Sequence, residues 1–446
     1  MSNTSRIIVI GLDGSPHTLI KKYVDNRIMP YLKGIVEKGC LYQMDTVLPD
    51  VSAVAWSSFM TGKNPAKTGI YGFFDMIPGT YDNVYTNYSH LKESTLWNII
   101  NKETRKPSII INMPCTYPVK PMNGVMVSGF ISSDLDKAVY PQNLLPLLKQ
   151  AQYKIDPDPE KILKSTDFLM SELNLILKQR KDLVDFLWDK LDWKLFTCVI
   201  TGTDRLQHFI MDAFENNDHN YREQFENYYR NVDLFIGSIL NKINENDVVI
   251  LLSDHGFEVT DYEVYLNVLF KKLGWLENIG YQEHGFKEIS DKTKVFCLDP
   301  GRIYINRKPR YPYGSDLTEE EYNKCLIEIQ AELENLKSPE GKKVVRYIYR
   351  KEEIYSGPFI KYAPDLVVVP EKGFTFKGAA KLEDVFIKPS MHYGSHNYDD
   401  AFLACNKKLL PHKKPNIMDI TPTILSLLNV DIDQYKFDGC LIEVLK

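Results

Sequence analysis

The chain has no run apolar enough to cross a bilayer, no CxxC pair, no internal repeat, no low-complexity linker and no excess of basic residues. Each absence removes a class of function. A membrane-spanning helix needs roughly 20 consecutive apolar residues. The start, MSNTSRIIVIGLDG, passes straight into a short Val/Ile run without the apolar h-region of a signal peptide. Seven cysteines, at 40, 115, 198, 297, 325, 405 and 440, are dispersed and odd in number, which fits a reducing compartment better than a disulfide framework. A cytoplasmic setting is therefore expected. A formal net charge of −5 gives no general attraction to nucleic acid or to an anionic membrane. What remains is a chain of 446 residues, 44% hydrophobic and 25% charged, able to bury a large α/β core.

Three short apolar runs end at or near an acid. Arg6 to Leu12 leads to Asp13, Leu195 to Ile200 precedes Asp204, and Val248 to Leu252 precedes Asp254. Such runs between helical patterns read as buried parallel strands. Strands are predicted at 6–12, 107–112, 125–129, 195–200, 247–252 and 365–369. Loops leaving the carboxyl ends of strands in an open α/β sheet share one crevice, so the three carboxylates should meet there. They would repel one another unless a cation sat between them.

Histidines accompany the acids. Asp204 and His208 lie four apart at the start of a helical pattern and project from one face. His255 follows Asp254 directly, and His396 sits in the polar segment Gly394 to Asp399. Mixed Asp and His donors suit zinc, manganese or iron better than calcium, and three of each suffice for two metals. Between Leu48 and Gly69, Ser52 stands just before the apolar stretch Ala53 to Met60, which reads as a short helix stopped by Gly62 and Pro65. A helix start favours bound phosphate, and a hydroxyl there becomes a nucleophile when a metal lowers its pKa. The duller role for Ser52 is a helix cap.

These residues, with Met60-Thr61-Gly62, Gly394 to Asp399, Asp419 to Thr423 and Asp438-Gly439, resemble the alkaline phosphatase superfamily, and most closely its type I phosphodiesterase/nucleotide pyrophosphatase branch. The resemblance implies an alkaline-phosphatase-like α/β core, with a mostly parallel sheet flanked by helices and a smaller inserted cap subdomain. It implies two divalent metals, zinc first and manganese second. Asp204, His208 and His396 would hold one metal, while Asp13, Asp254 and His255 would hold the other, with Ser52 bridging towards it. The implied reaction is attack by Ser52 on phosphorus, a phosphoseryl intermediate and its hydrolysis. The implied partner is a small phosphoester, nucleotides included.

Two positions depart from the branch. Phe73 stands where the nucleotide pyrophosphatases place an Asn that binds a phosphate oxygen, and Ser52 replaces their usual Thr. The Ala53 amide, or Asn112 after the strand Ser108 to Ile111, could take over the oxyanion. The core is expected over 1–261 and 389–446, with a helical insertion at about 140–193, and the inserted subdomain over 262–388. The helical insertion is expected to pack on the sheet more than to cap the site. His392 ranks behind His396 as a ligand, and His17, His90, His219, His284 and His412 are expected at the surface. Tyr71, Phe73, Phe74, Tyr81, Tyr85 and Tyr88 read as packing residues before a base-stacking surface. A phosphomonoesterase or phosphomutase of the same superfamily, and a non-catalytic metal-binding protein, remain as alternative readings.

Overall fold

In the computed structural model of the chain, residues 6–277, 281–282, 285–286 and 289–445 are described; His284 lies outside them. Eight strands form the central sheet: β1 (Ile7–Leu12), β2 (Cys40–Met44), β3 (Ser108–Met113), β4 (Gly124–Ser128), β5 (Val139–Tyr140), β6 (Leu195–Ile200), β7 (Val248–Leu252) and β8 (Ala401–Cys405). Their order is β2-β8-β7-β1-β6-β3-β4-β5. The five strands from β7 to β4 run parallel, β8 runs antiparallel to both β7 and β2, and β5 runs antiparallel to β4.

The continuous Val/Ile runs are explained by burial on both faces. Ile8, Ile10 and Leu12 point into one helical layer with Leu19 and Phe235, whereas Ile7 and Val9 point into the other with Trp56 and Phe59. Each such side chain contributes about 1.5–3 kcal/mol by leaving water. The helix α2 (Thr166–Leu187) buries Leu169, Leu173 and Leu177 in the first layer. It packs on the sheet, as its spacing predicts, while the segment before it, Tyr153 to Leu163, borders the site.

The predicted strand at 365–369 exists as Leu366–Pro370, but in a different sheet. It joins Val295–Leu298, Arg302–Ile305 and Val345–Arg350 in a four-stranded sheet backed by its own apolar core, with Phe296, Tyr304 and Leu326. An apolar run shows that a strand is buried without showing which sheet buries it. Among the described residues no helix is long and apolar enough to cross a membrane.

Candidate active site

Adjacency in the sheet brings the three acids together. β7, β1 and β6 are neighbours, so Asp13, Asp204 and Asp254 leave the same edge at the carboxyl ends of their strands, where the crevice was expected. The loops are tied to one another. The Gly14 amide donates to Asp254 Oδ1 at 2.9 Å, Thr203 Oγ1 donates to the Asp13 carbonyl at 2.6 Å, and Gln207 Nε2 donates to the Gly14 carbonyl at 3.0 Å. Asp204 and His208 sit on the helix α3 (Gly202–Ile210). His396 arrives on a short strand, Gly394–Asn397, that pairs antiparallel with Gly256–Val259. That register lays the His396 ring on His255, with centroids 3.7 Å apart.

All three imidazoles are oriented the same way. Nδ1 of His208, His255 and His396 faces a backbone carbonyl, of Gly394 at 3.2 Å, Gly256 at 3.0 Å and Asp50 at 2.8 Å respectively. A carbonyl can only accept, so Nδ1 carries the proton and Nε2 turns its lone pair inward. His208 Nε2 and His396 Nε2 lie 3.5 and 3.4 Å from Asp204 Oδ1 and 3.1 Å from each other. His255 Nε2 lies 3.3 Å from Asp254 Oδ2 and 3.8 Å from Asp13 Oδ1.

Ligand-capable atoms thus gather in two overlapping sets, Asp204 with His208 and His396, and Asp13 with Asp204 and His255. Asp204 belongs to both, and Asp254 joins the second through its contact with His255. Two carboxylate oxygens in this cluster, Asp204 Oδ1 and Asp254 Oδ2, are buried without a hydrogen-bond donor. Buried acceptors of this kind, facing inward nitrogen lone pairs, form a donor set for divalent cations.

Ser52 opens α1 (Ser52–Thr61), a helix in which every residue is buried and which ends at Gly62 in the left-handed region, φ 66°. The cap position belongs to Val51, so Ser52 is the first residue of the helix and not its cap. Ser52 Oγ lies 3.3 Å from Asp13 Oδ1 and 3.2 Å from His255 Nε2. Behind it the C-terminal segment grips the helix, with the Asp438 and Gly439 amides on the Gly62 carbonyl and Thr421 Oγ1 donating to the Phe59 carbonyl.

Burial pushes the Asp13 carboxyl well above the ordinary carboxylate range, and Asp254 and Asp204 add repulsion against the opposing indole hydrogen bond of Trp56. Burial also opposes ionisation of Asp204, yet His208, His396 and Arg205 hold it below that range. Burial lowers His208 and His255. It acts on His396 too, where the nearby Asp204 carboxylate overcomes it and raises the group.

A family model described as type I phosphodiesterase/nucleotide pyrophosphatase matches residues 7–399. The chain belongs to this family. With it comes the reaction class, hydrolysis of phosphoric ester bonds. A phosphonoacetate hydrolase from Sinorhizobium meliloti 1021, solved with phosphonoacetate, has TM-score 0.65 and 14% identity over 95% of this chain and 96% of that one. A murine ectonucleotide pyrophosphatase/phosphodiesterase 5, solved as an inactive variant with AMP, has TM-score 0.58 and 13% identity over 98% and 100%. These likenesses establish the alkaline-phosphatase-like fold. No curated protein matches the chain by sequence.

Two residues of this phosphodiesterase-family site escaped the sequence reading. Trp56 Nε1 donates to Asp13 Oδ2 at 3.1 Å, and its position four after Ser52, on the same helix face, was the available signal. Arg205 donates to Asp204 Oδ2 at 3.0 Å and to Asp156 Oδ2 at 2.8 Å, and lies over the Phe130 ring at 4.2 Å. His392, which the sequence ranked behind His396 as a ligand, has its ring tilted against that of His208 with centroids 5.6 Å apart, and it borders two clefts with it.

The two substrate-side candidates are engaged elsewhere. The Asn112 carboxamide accepts from the Tyr153 hydroxyl and donates to the Ile155 carbonyl. Phe73 packs edge-on against Phe130, with centroids 5.5 Å apart. Tyr71 and Tyr88 are buried, and Tyr81 stacks on Tyr311, in keeping with a packing role, while Tyr85 is exposed. His17, His90 and His219 are half-buried, and His412 is exposed. Local polar sequence hid contacts made by distant segments, such as the Asp400 carbonyl that takes the His17 amide.

Proposed function

We propose that the chain is a metal-dependent phosphodiesterase that cleaves a small phosphoester through a phosphoseryl intermediate on Ser52. The observation carrying this reading is Ser52 Oγ, buried between Asp13 Oδ1 and His255 Nε2. Asp204, His208 and His396 would hold one divalent ion and Asp13, Asp254 and His255 a second, with Ser52 bridging towards it. Zinc is the first choice and manganese the second. Such ions, when bound, acidify a hydroxyl and offset charge at phosphorus.

Ser52 Oγ attacks phosphorus in line, the bond to the leaving alcohol breaks, and the serine proton leaves with the alcohol. Water then attacks the phosphoserine, returns a proton to Ser52 Oγ and releases the remaining phosphomonoester. The Ala53 amide, in the first turn of α1, stands beside the nucleophile to receive a phosphate oxygen. Residues 262–388 serve as the inserted subdomain, a reading supported by their separate sheet and apolar core. The free state of all seven cysteines supports a reducing, cytoplasmic setting.

The test is hydrolysis of bis-p-nitrophenyl phosphate against p-nitrophenyl phosphate by stripped protein reloaded with Zn²⁺ or Mn²⁺, with Ser52→Ala alongside. The expected result is metal-dependent diester cleavage, lost in the variant, with a mass increment on Ser52 in acid-quenched enzyme. Preference for the monoester would move the chain to the phosphatase or mutase branch. Full activity of Ser52→Ala would sink the nucleophile assignment.

A further inference from the structure

A cleft of about 710 Å³ reaches the metal-ligand cluster at His208, which lines it together with His392 and the segments 130–135 and 153–163. Its volume lies in the range of small-molecule sites. Phe130, Ile155, Ile162, Leu163 and Phe209 make most of the wall apolar. Arg205 is the one Arg or Lys among the described lining residues, and its guanidinium is already committed to Asp156 and Asp204 and to the Phe130 face. At the mouth stand Asp134 and Asp158, each fixed by accepting backbone amides at the start of a helical turn. Lys161, which pairs with Asp158 at 3.2 Å, is not among the residues lining the cleft.

We infer that this cleft takes the organic group of the substrate, and that this group is apolar and carries no negative charge. The inference rests on the phosphoester reading of the adjoining centre. Two features select the class. An apolar wall gains by covering alkyl or aryl surface. A second phosphoryl group placed here would meet the carboxylates of Asp134 and Asp158 with no uncommitted cation to receive it. The preferred substrate is therefore a singly charged phosphodiester of an apolar alcohol, and nucleoside polyphosphates are disfavoured. Specificity would then lie in segments 130–135 and 153–163, apart from the strand ends that hold the ligands.

The test uses the full metal-loaded chain and a series of alkyl p-nitrophenyl phosphodiesters, methyl, ethyl, propyl and butyl, with ATP and p-nitrophenyl thymidine 5′-phosphate for comparison. Covering each added methylene should raise kcat/KM roughly threefold, hence about 30-fold from methyl to butyl. Leu163→Glu alters a residue that is 45% exposed, so it should fold, and it should reduce that ratio several-fold. A flat series, or ATP or the thymidine ester surpassing the butyl ester, would overturn the inference. Calorimetric binding of methyl- and butylphosphonate reads the cleft without turnover. A steep binding series with no hydrolysis of any ester would refute the hydrolase reading and support the cleft assignment, whereas a flat binding series would refute the cleft assignment alone.

Discussion

Asp13→Asn should make the metal-free protein more stable while weakening its response to metal. Asp13 is buried, and its carboxyl belongs to a set of atoms, with Asp204 and His255, that lie within 4.8 Å of one another. Two unit charges at that separation repel by about 3 kcal/mol at an effective dielectric constant of ~20. Arg205 offsets part of this for Asp13, leaving a gain of about 2 kcal/mol when the charge is removed. The Trp56 indole keeps an acceptor in the Asn carbonyl, so the swap leaves that donor satisfied.

The pH dependence carries the same sign. The folded pKa of Asp13 lies above its ordinary 3.8, so the native state holds this proton more tightly than the unfolded chain does. That contribution is fully present below the unfolded value and is lost as pH rises through the raised one. Stripped wild-type protein should lose stability over this window, and Asp13→Asn should lose less. The assay is the urea midpoint with excess chelator and with excess Zn²⁺, from pH 4 upward. A stripped variant less stable than stripped wild type would refute the claim that the carboxylates are in conflict.

Three further outcomes are expected. Arg205→Gln should lower stability by about 3 kcal/mol, because it strands the mostly buried Asp156 and Asp204 without their shared cation; an unchanged urea midpoint would contradict the pairing. Gly202→Ala places a methyl 2.0 Å from the buried Tyr228 hydroxyl. It should cost about 1–3 kcal/mol and reduce Zn²⁺ affinity by shifting Asp204, two residues on, as titration calorimetry would show. Chelation should lower the melting temperature of wild-type protein, and added Zn²⁺ should restore it in proportion to the logarithm of its concentration; a melting temperature indifferent to Zn²⁺ would count against a metal centre in these residues.

The sequence made legible what depends on long, unbroken patterns. β1, β6 and β7 are unbroken, fully buried and largely apolar runs ending near acids, and the crevice follows from them. It did not reveal β2, whose CLYQM has mixed burial at a sheet edge, or β8, whose AFLAC is too short to distinguish from a helix fragment. Both pair antiparallel near the sheet edge, outside the alternation of strand and helix that guided the reading. At the site, His396 was found through its local context, yet its partner carbonyl belongs to Asp50, far away in the chain. Arg205 went unremarked because a basic residue on a helix is ordinarily solvated, and only the tertiary fold presses it between two acids and a ring.

The pairing of Gly256–Val259 with Gly394–Asn397 amounts to a β-hairpin whose turn has been swollen into a whole sheet-bearing excursion. The chain leaves and returns across four paired residues, so the spacing of His255 and His396 is set by the ladder and not by the length of what lies between. Insertions and deletions in that excursion can accumulate while the two rings keep their places, which leaves the roof of the crevice free to diversify above an unaltered floor.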